Sequence, residues 1–149
     1  MLDVEAIRRS LPHRYPFLMV DRLLEREDGR VVALKNVTIN EPFFQGHFAE
    51  PLEALMPGVL ILEAMAQTAA FLVAPAACDE KLAGYLVGVE KARFRRKVVP
   101  GDRLRLEATR VREKRGLLRA DVTASVDGEL VASASISLLT AGPAAGGRP

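Results

Sequence analysis

The sequence predicts an α+β domain in which an antiparallel sheet covers one long hydrophobic helix. Three observations carry that prediction. The run from Pro57 to Val73, PGVLILEAMAQTAAFLV, is apolar all round, which marks a helix buried on most sides rather than one lying on a surface. Later stretches alternate apolar and polar residues with period two, as half-buried antiparallel strands do. The pairs Asp28-Gly29 and Asp127-Gly128 stand between strand-like runs and are strong hairpin signals. An apolar helix needs covering, and such a sheet has one apolar face with which to do it. One sheet does not reach every side of the helix, so a homodimer is expected.

Taken in order, LDVEAIRRS reads as a short helix with Asp3 as N-cap and Val4, Ile7 and Leu11 on one face. Pro12 and Pro16 in LPHRYPF end it. FLMVDRLLERE and RVVALKNVTI are strand-like, joined by EDGR. Asn40 to Met56 is a loop carrying Pro42, Gly46 and Pro51. The long helix begins near Pro57, because proline is favoured at the first helical position, and Pro75 ends it. Four strands follow. The first is AGYLVGVEKARFRRKVV, with Pro100-Gly101 as the turn after it. The second, DRLRLEATRVRE, sets Leu104, Leu106 and Ala108 on one face. The third, LLRADVTASV, does the same with Leu118, Ala120, Val122, Ala124 and Val126. The fourth, ELVASASISLL, points Leu130, Ala132, Ala134, Ile136 and Leu138 inward. The expected organisation is a single domain over residues 1–140 and a disordered tail, 141–149, made largely of Gly, Pro and Ala.

Composition narrows the function. A chain of 149 residues is one domain's worth. The lone cysteine, Cys78, excludes an internal disulfide and a cysteine-built zinc site. The two histidines, His13 and His47, lack ligand spacing, so no metal is expected. A net charge of +2 is too small to argue for nucleic acid. The N-terminus lacks a basic-then-apolar signal pattern. The long apolar run falls short of the roughly 20 residues that a membrane span needs and holds Glu63 and Gln67. A soluble cytoplasmic protein is the expectation.

Glu63 is the one carboxylate in that run. It lies nearly two turns into the helix, too deep for a capping role. Burying a carboxylate is costly unless it is hydrogen-bonded, and Gln67, one turn on, is the only polar neighbour on its face. The pattern leaves two readings open: a carboxylate held at a subunit contact, or an acid in an active site. His47, just upstream in GHF, is structural if it stands alone. Beside Glu63 in an apolar pocket it would make a proton-transfer pair. The stretch MPGV opens the helix with unpaired N–H groups at Gly58 and Val59, able to bind a carbonyl oxygen and stabilise charge building there. Base, acid and oxyanion donor are what removal of a proton next to a carbonyl requires.

LPHRYPFLMVDRLLE, GHF, MPGVLILEAMAQ and EKARFRRKVVPGDRL, in that order, resemble the (3R)-hydroxyacyl-[acyl-carrier-protein] dehydratases of type II fatty-acid synthesis. The resemblance runs from about Ser10 to Leu139. It implies the hotdog fold, a sheet wrapped round a central helix, working as homodimers and as trimers of dimers. It implies His47 as the base at the α-carbon and Glu63, from the opposite subunit, as the acid that protonates the leaving β-hydroxyl. It implies Gly58 as the backbone donor to the thioester carbonyl and Gln67 as the residue orienting Glu63. No cofactor is implied, because loss of water changes no oxidation state; the substrate rides on the phosphopantetheine of acyl carrier protein. Relatives that also isomerise their product carry Asp at the acid position, and Glu63 points away from that.

The family usually reads H-F-P-x-x-P-x-M-P-G-V, whereas this chain reads HFAEPLEALMPGV, two residues longer and with Ala49 for the proline. A bulge between Glu50 and Leu55 would leave the site intact, and Glu53 adds a charge near its mouth. Further on, EKARFRRKV puts Lys91, Arg93, Arg95 and Lys97 on one strand face and Ala92, Phe94 and Arg96 on the other. With Phe94 as its one aromatic it is a poor nucleic-acid surface. Arg93, Arg95, Arg96 and Lys97 together are expected to meet the acidic carrier protein, against the bland reading of a solvated face. His13 reads as structural. The other readings of the whole chain are a hotdog thioesterase and a non-catalytic carrier-binding protein.

Overall fold

Residues 1–47, 53–74 and 84–140 are described by the computed structural model; the tail at 141–149, Cys78, Pro75 and Phe48 to Leu52 of the long loop lie outside them. Helix α1 is Val4–Ser10, capped by Asp3, whose Oδ1 accepts from the Ala6 N–H at 2.9 Å. Ile7 and Leu11 are buried as the spacing predicts, but Val4, in the first turn, is exposed. Strands β1 (Arg22–Glu27) and β2 (Arg30–Asn36) form the expected hairpin across Asp28-Gly29. Then comes a short 3-10 turn, Pro42–Gln45.

Helix α2 is Gly58–Ala70, shorter at both ends than the apolar run. Pro57 has an extended ψ of 132° and is the N-cap rather than the first helical residue. At the far end Phe71, Leu72 and Val73 donate three residues back, to Thr68, Ala69 and Ala70, so the helix tightens before it stops. The burial that the pattern predicts holds for Ala64 to Ala70. The first turn is open, with Val59 72% exposed.

The remaining strands are β3 (Gly84–Phe94), β4 (Arg103–Lys114), β5 (Leu117–Val126) and β6 (Glu129–Thr140). All pairings are antiparallel and the order is β1-β2-β4-β5-β6-β3. Every inward residue expected on β5, Leu118 to Val126, is buried, as are Leu104, Leu106 and Ala108 of β4. Along β6 the expectation fails at Leu130, which is exposed, while Val131 is fully buried. The cause is a bulge: Ala124 pairs with Ala132 but Ser125 pairs with Leu130, so Val131 is an extra residue and the faces exchange. Further shifts on β3 and β4 add the twist that lets the sheet curl round α2.

Two hairpins close through tight turns with both central residues at positive φ: Arg115 (52°) with Gly116 (76°), and Asp127 (50°) with Gly128 (82°). That geometry matches the twist of the flanking strands. On the outer face, Arg30 bridges Glu25 (2.6 Å) and Glu107 (2.8 Å), and Arg105 reaches Glu107 (2.6 Å). Hydrogen bonding from Arg30, then from Arg105, holds the Glu107 carboxyl below the usual carboxylate range. Among the described residues, no helix is long and apolar enough to cross a membrane.

Candidate active site

The site is built where α2 meets the segment that follows α1. Gln67 is buried in α2, and each of its polar atoms is engaged. Its Oε1 accepts from the Met19 N–H (2.8 Å); its Nε2 donates to the Phe17 carbonyl (2.7 Å) and to Glu63 Oε1 (2.8 Å). Residues Glu63 and Gln67 share a helix face because they are four apart. The amide therefore anchors the carboxylate to two backbone groups of the segment after α1.

The second neighbour of Glu63 is a residue whose sequence context reads as structural. His13 Nε2 lies 3.3 Å from Glu63 Oε1, and its ring stacks on Phe17 with centroids 6.3 Å apart. His13, Glu63, Gln67, Leu11, Ala66, Ala70, Gly84, Leu86 and Leu138 line one small cavity of about 80 Å³. No spacing in the sequence joins His13 to Glu63. The one hint is its position in a proline-bounded segment, which cannot be helix and must cross over something.

His47 does not line that cavity. It follows the 3-10 turn, and its Nδ1 lies 2.7 Å from the Leu55 carbonyl oxygen. A carbonyl only accepts, so Nδ1 carries the proton and Nε2 is the basic nitrogen. The same bond joins the two ends of the long loop. Part of the expected bulge between Glu50 and Leu55 lies outside the described residues; its base is tied at His47–Leu55 and again where Met56 N–H donates to Val98 O at 2.9 Å.

Gly58 opens α2 as expected, with Val59 beside it. The Phe94 ring lies against it: a Cβ built on Gly58 would meet ring carbons at 3.2–3.4 Å. Gly58, Phe94, Arg95, Arg96, Lys97, Leu55, Met56, Ile61 and Val98 line a second cavity of about 290 Å³. The basic stretch is only partly as expected. A bulge between Glu90 and Arg93, with Lys91 at φ 54°, breaks the alternation, and β3 ends at Phe94. Lys91, Arg93, Arg95 and Lys97 thus do not form one strand face. Arg95 donates to Ser133 (2.8 Å), Lys97 pairs with Glu53 (2.8 Å), and half-buried Arg96 sits 3.4 Å from Glu129 and 3.9 Å from Asp102. Among the described residues, no group of three or more His, Cys, Asp or Glu stands close enough to hold a metal ion.

The FabA-like domain matches residues 11–135, a span that contains His13, His47, Gly58, Glu63 and Gln67. The chain belongs to the FabA-like family. Its relatives include proteins named 3-hydroxyacyl-[acyl-carrier-protein] dehydratase FabZ. That of Shewanella sediminis is 52% identical over 139 residues, 91% of this chain and 90% of the relative. That of Anaeromyxobacter sp. is 52% identical over 146 residues, 95% and 92% of the two chains. The FabA-like fold recurs in a structure titled the dehydratase heterocomplex ApeI:P from Xenorhabdus doucetiae, with a TM-score of 0.76 at 16% identity, covering 91% of each chain. At that identity the likeness concerns the hotdog fold alone.

Proposed function

We propose that the chain is a hydro-lyase that converts (3R)-hydroxyacyl-[acyl-carrier-protein] to the trans-2-enoyl thioester and water. The observation that carries this is the carboxylate of Glu63, held by Gln67 at a cavity in a chain half identical to proteins named as such dehydratases. In this reading the N–H of Gly58, with Val59 beside it at the positive end of α2, receives the thioester carbonyl and stabilises the charge that builds there. His47 Nε2 takes the α-proton. Glu63 gives its proton to the β-hydroxyl, which leaves as water, and the carbon–carbon double bond forms between the two positions. The base gains one proton and the acid loses one, so a proton returned through solvent resets the pair. Elimination involves no electron transfer, and no cofactor enters the scheme.

The substrate is presented by acyl carrier protein to Arg93, Arg95, Arg96 and Lys97 together; of these Arg95, Arg96 and Lys97 line the Gly58 cavity, and Arg96 is tied to Asp102 and Glu129. His47 is outside the cavity of Glu63 within one chain, and this fits a composite site completed by a second copy. The surface for it is β3, an edge strand on which Tyr85, Leu86, Val87 and Val89 are all exposed. Trimers of dimers are the assembly expected in solution.

The test uses (3R)-hydroxyacyl-carrier-protein as substrate and mass spectrometry as readout. Wild type loses water from the substrate; His47→Ala and Glu63→Gln, folded and dimeric, each lose about a hundredfold or more in rate. Release of free carrier thiol would instead mean hydrolysis. The two dead variants, co-expressed, recover about a quarter of wild-type turnover, since random pairing makes half the dimers mixed and each mixed dimer has one intact site. No recovery would place both groups in one chain.

A further inference from the structure

We propose that His13 decides which oxygen of Glu63 carries the acid proton: as a neutral Nε2–H imidazole it donates to Oε1 and so reserves Oε2 for proton transfer. This rests on the dehydratase reading of the site and adds a positioning residue to it.

His13 Nδ1 is buried and, among the described residues, has no hydrogen-bond partner. A neutral imidazole has one N–H and one lone pair. An N–H buried without an acceptor is rarer in folded proteins than an acceptor with a spare lone pair, and an imidazolium there would strand a charged donor as well. Nδ1 therefore carries the lone pair and Nε2 the hydrogen. Nε2 stands 3.3 Å from Glu63 Oε1, so its hydrogen has that oxygen as the acceptor at hand.

Oε1 already accepts from Gln67 Nε2 at 2.8 Å. An oxygen that receives two N–H donors is a poor place for a third hydrogen. A proton placed on Oε1 would push against one of them and forfeit a buried hydrogen bond. The proton of the acid form belongs on Oε2, which is the oxygen the two donors leave alone. Both donors are delivered by the same piece of chain: Gln67 is fixed by Phe17 and Met19, and His13 stacks on Phe17. A charged His13 would act the other way. It would stabilise the Glu63 anion, the form that cannot protonate a leaving group. The neutral tautomer orients the acid without taking its proton.

His47 is fixed in the opposite tautomer by the Leu55 carbonyl, and the chain has only two histidines. A long-range 1H–15N spectrum of the histidine side chains in uniformly 15N-labelled protein therefore contains two ring patterns, with His47→Ala assigning them. The expected result is the Nε2–H tautomer at His13 and the Nδ1–H tautomer at His47. The kinetic arm compares His13→Phe, which keeps a ring against Phe17 and loses the donor, with His13→Gln, which keeps a donor that does not titrate. His13→Phe lowers kcat about tenfold to hundredfold, as loss of an orienting hydrogen bond does, with KM nearly unchanged, and His13→Gln recovers most of the loss. Both arms must hold. An Nδ1–H or doubly protonated His13 at assay pH overturns the proposal, and so does a folded His13→Phe with wild-type kcat. If His13→Phe does not fold, the wild-type spectrum together with the kcat of His13→Gln decides. A wild type that never dehydrates any hydroxyacyl-carrier-protein overturns the dehydratase reading instead, and the spectrum reports that separately.

Discussion

Gln67 makes three hydrogen bonds from a side chain that is almost wholly buried. Replacing it with Leu keeps the volume, strands the Met19 N–H and the Phe17 carbonyl, and takes one donor from the Glu63 carboxylate. Unpaired buried groups cost about 1–3 kcal/mol each, so Gln67→Leu is expected to lose roughly 2 kcal/mol or more of stability by urea denaturation, together with most of its turnover. A residue whose role was only to orient Glu63 would lose turnover alone. Elsewhere, the Glu107 carboxyl is held below its ordinary range, mainly by Arg30. A folded-state value below the unfolded one gives stability that is present above the ordinary carboxylate range and is lost as pH falls through the folded value. Glu107→Gln should therefore flatten the acid limb of thermal stability as pH falls below the ordinary carboxylate range, and leave the slope near neutrality as it is. An unaltered acid limb would show that the outer-face ion network contributes nothing measurable. At this scale the sequence displays Glu63 and Gln67, because a polar pair four apart in an apolar helix is costly to bury unless its members bond each other. It conceals His13, whose partner is set by how one segment crosses another.

Among the elements, hairpin turns and helix starts are where single glycines matter. Gly116 sits at φ 76°, and a Cβ there would also meet the Thr140 carbonyl oxygen at 3.1 Å. Gly116→Ala is expected to cost about 1 kcal/mol or more, lowering Tm without touching the site. Gly58→Ala tests the opposite case. Its Cβ would press on the Phe94 ring, so the ring must shift at the mouth of the cavity, and kcat/KM falls while Tm changes little. Strand and helix identities are readable because period two and an unbroken apolar run are strong signals. Leu130 shows where such reading stops. A one-residue bulge reverses inward and outward, and nothing in ELVASASISLL marks whether Leu130 or Val131 faces the core. The alternation of Lys91, Arg93, Arg95 and Lys97 fails for the same reason, with a left-handed Lys91 where a regular strand needs extended backbone.

For the whole molecule, the open features are the first turn of α2 and the strand β3. The homodimer proposed above covers β3 and brings His47 of one copy toward Glu63 of the other. A charge on that edge tests it: Val89→Lys should shift the protein toward monomer by light scattering and abolish dehydration while leaving the circular dichroism of the fold. A dimeric and active Val89→Lys would move the interface elsewhere. The same edge has a consequence for how the chain is made. A finished single copy displays a long strand with apolar side chains and unpaired backbone groups, which is a template for any other extended chain. If the proposed homodimer forms across this edge, each newly synthesised copy is exposed to off-target strand addition until it pairs, and the outcome depends on how quickly partners are found. Refolding yield should therefore pass through a maximum with protein concentration, limited by slow pairing when dilute and by misassembly when crowded.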